Sequence, residues 1–343
     1  MKRLTIGLVV LIMALAIVPT ASAHAPIGAG SNESLATATL IPDPTKSWAV
    51  YADLHQGGEA QYYKFDAARG QRIHLTLYTS TSAEDASFAP GVILMGPGIP
   101  NRGSVPNYVE ISPGAGVMAV NGARAPQATY EAFAPSSFVQ LADISLNAPA
   151  NGTYYVAVQD ANRGGHYGVA IGDRESFTIS EWLLNPVSLL SVYVWERQSL
   201  PVVLAPALAI LVLGLALLIR RHRGGLRLDI KGWMAAVAGL LFLGTGATVF
   251  CQMILSISRS LADASLIVTL IFAILPIVLG LLTIRLAVRS SGHWTVRSRL
   301  YLVVLGVGAL VIWTGYLIGP VLAIGAAVVP SRSAAPTAPV AEA

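Results

Sequence analysis

Hydrophobic and polar positions follow two rhythms along this chain. In residues 62–65, 71–78, 153–159 and 166–171 they alternate with a period of two, and Gly, Asn or Asp bound each stretch. Ile73, Leu75 and Leu77 mark one apolar face, as do Tyr154, Val156 and Val158. Such alternation predicts strands with one buried side. The breaks at 57–58, 67–70 and 162–165 suit hairpin turns, because glycine reaches positive φ without a Cβ penalty. An antiparallel β-sandwich buries strands of this kind. From residue 199 the alternation stops, and four uncharged runs follow at 199–219, 232–258, 264–284 and 300–331. Each is long enough to cross roughly 30 Å of hydrocarbon at about 1.5 Å per helical residue.

Two further segments frame these regions. Residues 1–23 have a basic start (Lys2, Arg3), an apolar stretch and an Ala21-Ser22-Ala23 end, the pattern of a secretory signal peptide cleaved before His24; an uncleaved anchor is the alternative. Thr178 and Glu181 have capping-box spacing, so a helix is expected to start there, with Asn185-Pro186 kinking or restarting it. Trp182, Tyr193 and Trp195 are expected at a membrane interface, making 176–198 an interfacial collar.

Composition places this pattern in a membrane. The chain is 54% hydrophobic and only 12% charged, with a mean hydropathy of +0.61, against roughly 25% charged residues in a soluble domain. Its formal net charge of +4 does not indicate nucleic acid, because the basic residues flank the apolar runs. Arg220, Arg221, Arg223, Arg227 and Lys231 lie in the first connection and Arg285, Arg289, Arg297 and Arg299 around the third, whereas the second has Arg259 and Asp263. The positive-inside rule makes the two basic loops cytoplasmic. The amino-terminal domain and an Ala/Pro-rich, disordered 332–343 tail are then outside, in a multi-pass protein of the plasma membrane. The only cysteine, Cys251, lies in an apolar run, which excludes an intrachain disulfide and a thiolate metal cluster.

The segments SNESLATATLI (31–41), EAQYYKFDAARGQRIHLTL (59–77) and NGTYYVAVQDANRGGHYGVAIG (151–172) resemble the bacterial pre-peptidase C-terminal (PPC) domain family. That family opens with an Asn- and Ala-rich strand entry, continues through a Y-x-F-x-x-x-x-G-Q strand and turn, and closes with paired G-x-Y-x-V strands. The resemblance implies a jelly-roll-like, non-catalytic module of the kind that accompanies secreted enzymes or surface proteins and often binds polymers, here in a prokaryotic surface protein. Residues 83–140 depart from the pattern as a long insertion. The expected architecture is therefore a multi-domain membrane protein: an all-β antiparallel sandwich ectodomain (24–175), the collar (176–198) and an all-α four-helix transmembrane region (199–331).

Candidate chemistry is sparse. The apolar runs contain no Asp, Glu, Lys, Arg or His, the groups that pumps place inside the bilayer. Gly239, Gly244, Gly246, Gly306 and Gly308 suit close helix packing, and Pro276 suits a kink. No G-x-S-x-G, H-E-x-x-H or Walker sequence is present. The expected work is binding of an envelope polymer, glycan or protein partner, with Tyr62, Tyr78 and Tyr155 as contact aromatics opposite the apolar strand faces; packing beneath the insertion is their other reading. A competing expectation is copper. Cleavage before His24 would join a free amine to an imidazole, and His55, His74 or His166 would complete a histidine brace, in a carrier or oxidase. Calcium is a further expectation, because PPC-like modules bind it near the domain entry, where Asn32 and Glu33 stand here. Asn32 and Asn151 also open glycosylation sequons. A third functional class is a sensor or accessory subunit whose small-residue helix faces dock partner helices.

Overall fold

The computed structural model of the protein describes residues 24–330, so the expected signal peptide and 332–343 tail lie outside the described residues. Two compact units divide the chain, one built from residues up to Ala205 together with Thr248–Phe272, the other from Pro206–Ala247 and residues from Ala273 onward.

The first unit is a two-sheet sandwich with helical additions. Its strands are β1 (Ala25–Ile27), β2 (Thr39–Leu40), β3 (Trp48–Leu54), β4 (Glu59–Ala67), β5 (Arg72–Ser80), β6 (Gly91–Gly96), β7 (Gly116–Val120), β8 (Thr129–Glu131), β9 (Ser136–Asn147), β10 (Gly152–Asp160) and β11 (Gly165–Ile171). Six of them form one sheet in the order β1-β3-β11-β5-β9-β8, and five form the other in the order β2-β4-β10-β6-β7. Pairing is antiparallel except where the short β1 and β2 join β3 and β4. The four alternating segments read from the sequence fall in β4, β5, β10 and β11, and their apolar faces meet between the sheets. Ile73, Leu75 and Leu77 pack there with Tyr154, Val156, Val158, Val169 and Phe65, each buried. At roughly 1.5–3 kcal/mol for each large side chain removed from water, this face supplies the main driving force for closing the sandwich.

Residues 83–140 are part of both sheets, not an appendage. β6 and β7 extend the five-stranded sheet beyond β10, and β8 with the start of β9 forms one edge of the six-stranded sheet. A helix, α1 (Ile179–Trp195), follows the sandwich. Its capping box is formed as expected: Glu181 N–H donates to Thr178 Oγ1, and Thr178 N–H donates to Glu181. Pro186 sits inside the helix and does not end it. Of the three aromatics in this helix, Tyr193 and Trp195 are buried. The Trp195 indole N–H donates to Tyr167 O at 3.0 Å, on the outer side of the six-stranded sheet.

Three helices, α2 (Leu200–Arg223), α3 (Ile230–Ile257) and α4 (Leu266–Ser290), are long and apolar enough to cross a membrane. In the second unit α3 and α4 approach closely at Gly239 and Gly280, where a Cβ on either would come within 2.6–2.8 Å of the other's carbonyl oxygen. The fourth predicted run is not one spanning helix. It breaks into α5 (Val296–Val311) and α6 (Ile318–Val328). Between them Trp313, Gly315, Tyr316 and Leu317 all adopt positive φ, which a right-handed helix does not allow.

Candidate functional site

The six-stranded sheet turns β5 residues His74, Thr76 and Tyr78 to its outer side, opposite Ile73, Leu75 and Leu77. Above them is a cavity of 380 Å³, also lined by His24, Glu131, Asp143 and Asp173, with Asp263 and Ser265 from the α3–α4 connection. All these residues belong to the first unit.

Strand register builds the floor. His74 pairs across the ladder with Ser145, and Thr76 pairs with Asp143. His74 Nε2 reaches Asp143 Oδ2 at 3.0 Å, its Nδ1 contacts Asp173, and Thr76 Oγ1 donates to Asp143 at 3.1 Å. Arg72 adds a 3.4 Å contact to Asp173. Burial pulls the His74 pKa down, but the hydrogen bonds to Asp173 and Asp143 outweigh it and the net shift is upward. Both ring nitrogens are occupied by carboxylates, which leaves no nitrogen to take a proton from a nucleophile. His24 stands beside it with Nδ1 against Ser47 Oγ. Burial, reinforced by the neighbouring His74 charge, lowers the His24 pKa to about 4 despite Asp173.

The far wall contains a carboxyl under different control. Burial pushes Glu131 up to about 7, although the backbone N–H groups of Phe133 and Ala132 favour its ionised form. The same strand end is anchored by Tyr130, whose hydroxyl donates to Thr269 Oγ1 at 2.7 Å, while Thr269 donates to Ala132 O at 2.7 Å. Tyr130 and Ala132 pack there with Met253 and Val268. Beside the cavity, Tyr78 lies in an aromatic cluster with Phe138, Tyr51 and Trp195. Gly168 on β11 makes this cluster feasible, since a Cβ there would collide with the Tyr78 ring.

The residues expected to bind are distributed unevenly. Tyr62 and Tyr78 are buried, at 1% and 4% exposure, so neither offers a free face. Tyr62 lies beneath the 105–110 segment, and its hydroxyl accepts from Glu110 N–H at 2.7 Å. Tyr155 is partly buried in the same cluster. Of the four histidines, His24 and His74 share the cavity. His55 is exposed and bonded to Asp53, and His166 faces a separate hollow with Asp53 and Trp195. Among the described residues no group of three or more His, Cys, Asp or Glu side chains is placed to hold a metal ion. Asn32 is buried beside the Tyr63 and Tyr167 hydroxyls. Its amide nitrogen is enclosed, which removes it as a glycan acceptor in the folded domain.

Sequence reasoning did not find Glu131, Asp143, Asp173 or Asp263. Asp143 had a signal, because Ala142 and Ile144 alternate with Asp143 and Ser145 along β9. The presumed insertion ended at residue 140 and cut that strand in two.

The chain matches no protein-family model and no curated protein. A solved structure to which it is similar is the 1.0 Å crystal structure of the pre-peptidase C-terminal domain of a collagenase from Bacillus anthracis, 16% identical and covering 38% of this chain and 91% of that one, with a TM-score of 0.20. At that score the likeness carries no argument, and the two-sheet fold stands on this chain's own strand pairing.

Proposed function

We propose that the protein is a membrane-anchored surface protein whose sandwich, held outside the cell with the two basic loops in the cytoplasm, binds an amine-bearing envelope polymer. The observation that carries this reading is the balance of charge in the cavity. Asp143, Asp173, Asp263 and Glu131 line the cavity; His74 lies between Asp143 and Asp173 and Arg72 reaches Asp173, which leaves Asp263 without a basic partner among the described residues beside Glu131, so the site favours a cationic group, and Thr76 and Ser265 supply hydroxyls beside it. The membrane part of the reading is supported by three helices of spanning length and the arginines beside them.

Calorimetric titration of the full chain in mild detergent with glucosamine oligomers and their N-acetylated counterparts tests the reading, because the two probes differ in charge and little else. The charged oligomer should bind, the acetylated one should not, and Asp263→Asn and Asp143→Asn should each weaken binding. Equal binding of both probes, or indifference to both substitutions, would end it.

Copper binding keeps one supporting observation, the juxtaposition of His24 with His74 in one cavity. It requires cleavage before His24 and displacement of a carboxylate from His74. A copper titration of the full-length mature protein, with its amino terminus fixed by intact mass, should then show one-to-one binding that His24→Ala abolishes; an intact signal in that variant rejects it.

A further inference from the structure

The fourth apolar run makes two helices that lie side by side. A Cβ added to Gly306 in α5 would meet Ile324 Cγ1 at 2.8 Å, Ala323 Cβ at 3.3 Å and Pro320 O at 3.3 Å, all in α6. Were the run one straight helix, residues 306 and 324 would stand about 27 Å apart. The chain therefore reverses direction in the 312–317 break, where the positive φ angles cluster.

The depth of the reversal can be read along α3. Gly315 and Gly319 lie against Phe242, and Gly315 N–H donates to Thr245 Oγ1 at 2.9 Å. These are mid-helix positions of α3 (Ile230–Ile257). The far end of α6 has returned toward the start of α3: Gly325 lies beside Met234, and Ala326 and Ala327 pack in one cluster with Leu228, Ala235, Ala287 and Leu302. That cluster joins the ends of the helices from which the two arginine-rich connections leave. Length agrees, because the 11 residues of α6 extend about 16 Å, half of a hydrocarbon core of roughly 30 Å.

We propose that the fourth apolar run is a re-entrant helical hairpin, which enters the membrane from the side of the basic loops, turns at mid-depth and returns to that side. This revises the expected topology. The chain beyond α6 emerges with the arginines and not with the sandwich. Irregular backbone at such a depth persists only where protein covers it, and Phe242 and Thr245 supply the cover here. The proposal rests on α2–α4 spanning the membrane, and its test separates the two.

Single cysteines are placed at Pro330, Arg223 and Ala262 of the full chain in a Cys251→Ser background and labelled with a membrane-impermeant maleimide in sealed cells and in opened vesicles. Arg223→Cys in a basic connection and Ala262→Cys in the α3–α4 connection should label from opposite sides, which establishes the spanning helices, and Pro330→Cys should label together with Arg223→Cys. Labelling of Pro330→Cys together with Ala262→Cys overturns the hairpin and leaves the span intact; labelling of both controls from one side overturns the span and the hairpin with it. Fluorescence from a protein that matures only in the cytoplasm, fused after Ala343, gives a second readout and should be bright. A dark fusion, with an alkaline phosphatase fusion active at the same point, counts against the hairpin.

Discussion

The two sheets of the sandwich cover their outer faces in different ways. On the five-stranded sheet, Tyr62, Ile93, Met95, Val117 and Ala157 pack against the chain's own 105–109 segment, so a local loop supplies an apolar lid of Val105, Tyr108 and Val109. On the six-stranded sheet the cover comes from distant parts of the sequence. Trp195 closes over Tyr51 and Tyr78, and Tyr130 with Ala132 meets Met253 and Val268. Between these two apolar patches the cover is interrupted, and the carboxylates and histidines of the cavity occupy the gap. An apolar lid is a folding device, whereas an interrupted one leaves polar groups where a ligand can reach them.

The sharpest way to break this comparison is to remove a lid residue from each side. Trp195→Ala deletes the indole that fills the Tyr51–Tyr78 cluster and leaves Tyr167 O without its donor, so it should destabilise the first unit by about 3–5 kcal/mol. Val109→Ala removes two methyl groups from the opposite lid and should cost about 1–2 kcal/mol. Scanning calorimetry of the full chain in detergent checks both. Equal losses would mean that the two covers are equivalent and that the distant one has no special role.

The next largest effect is a dependence on pH. Glu196 is 3% exposed, accepting from Ser137 N–H at 2.9 Å and Gln198 Nε2 at 3.0 Å. Burial nevertheless raises its pKa to about 7, against an ordinary 4.5. Between those values the folded form retains a proton that the unfolded chain releases, so stability falls as pH rises through this window. Glu131 acts in the same direction over the same range. His74, raised above its ordinary 6.5, contributes stability that is complete below 6.5 and is lost as pH rises through its folded pKa. His24, lowered to about 4, opposes them with a shift as large as that of either carboxyl, gaining stability as pH rises from 4 to 6.5. The sum predicts a fall on the order of 3 kcal/mol from pH 5 to pH 8, and Glu196→Gln should flatten much of it. A flat wild-type profile of melting temperature against pH would show that these carboxyls are hydrated in solution.

What was legible beforehand follows from which periodicities face a single environment. β5 buries Ile73, Leu75 and Leu77 against the sandwich core while His74 and Thr76 between them stay partly open, so its alternation survives in the sequence. β6, buried throughout its six residues, loses that signal, because the five-stranded sheet is covered on its outer side as well. In the helical region hydropathy reports how much chain tolerates lipid and says nothing of direction, so a 32-residue run that reverses at Gly315 reads like one that crosses. His74 falls on the outer face because it stands between Ile73 and Leu75, which face the core. Its partners came from β9 and from the end of β11, 69 and 99 residues away, and no local pattern announces such pairs.

The smallest effect probes one edge of the interrupted lid. Tyr130 donates to Thr269 Oγ1, and the Thr269 hydroxyl donates to Ala132 O, two bonds that fix the strand end carrying Glu131. Tyr130→Phe keeps the ring packed against Met253 and Val268 and removes only the first bond, which should cost about 1 kcal/mol. If the cavity depends on that edge, the substitution should also quicken backbone hydrogen exchange at Ala132 and Phe133 while leaving Val109, under the other lid, unchanged. Equal acceleration at both places would mean global loosening, and the cavity wall would then owe nothing to Tyr130. Exchange confined to 131–133 would show instead that one hydroxyl holds the Glu131 carboxyl at the cavity, where its protonation can respond to a bound cation.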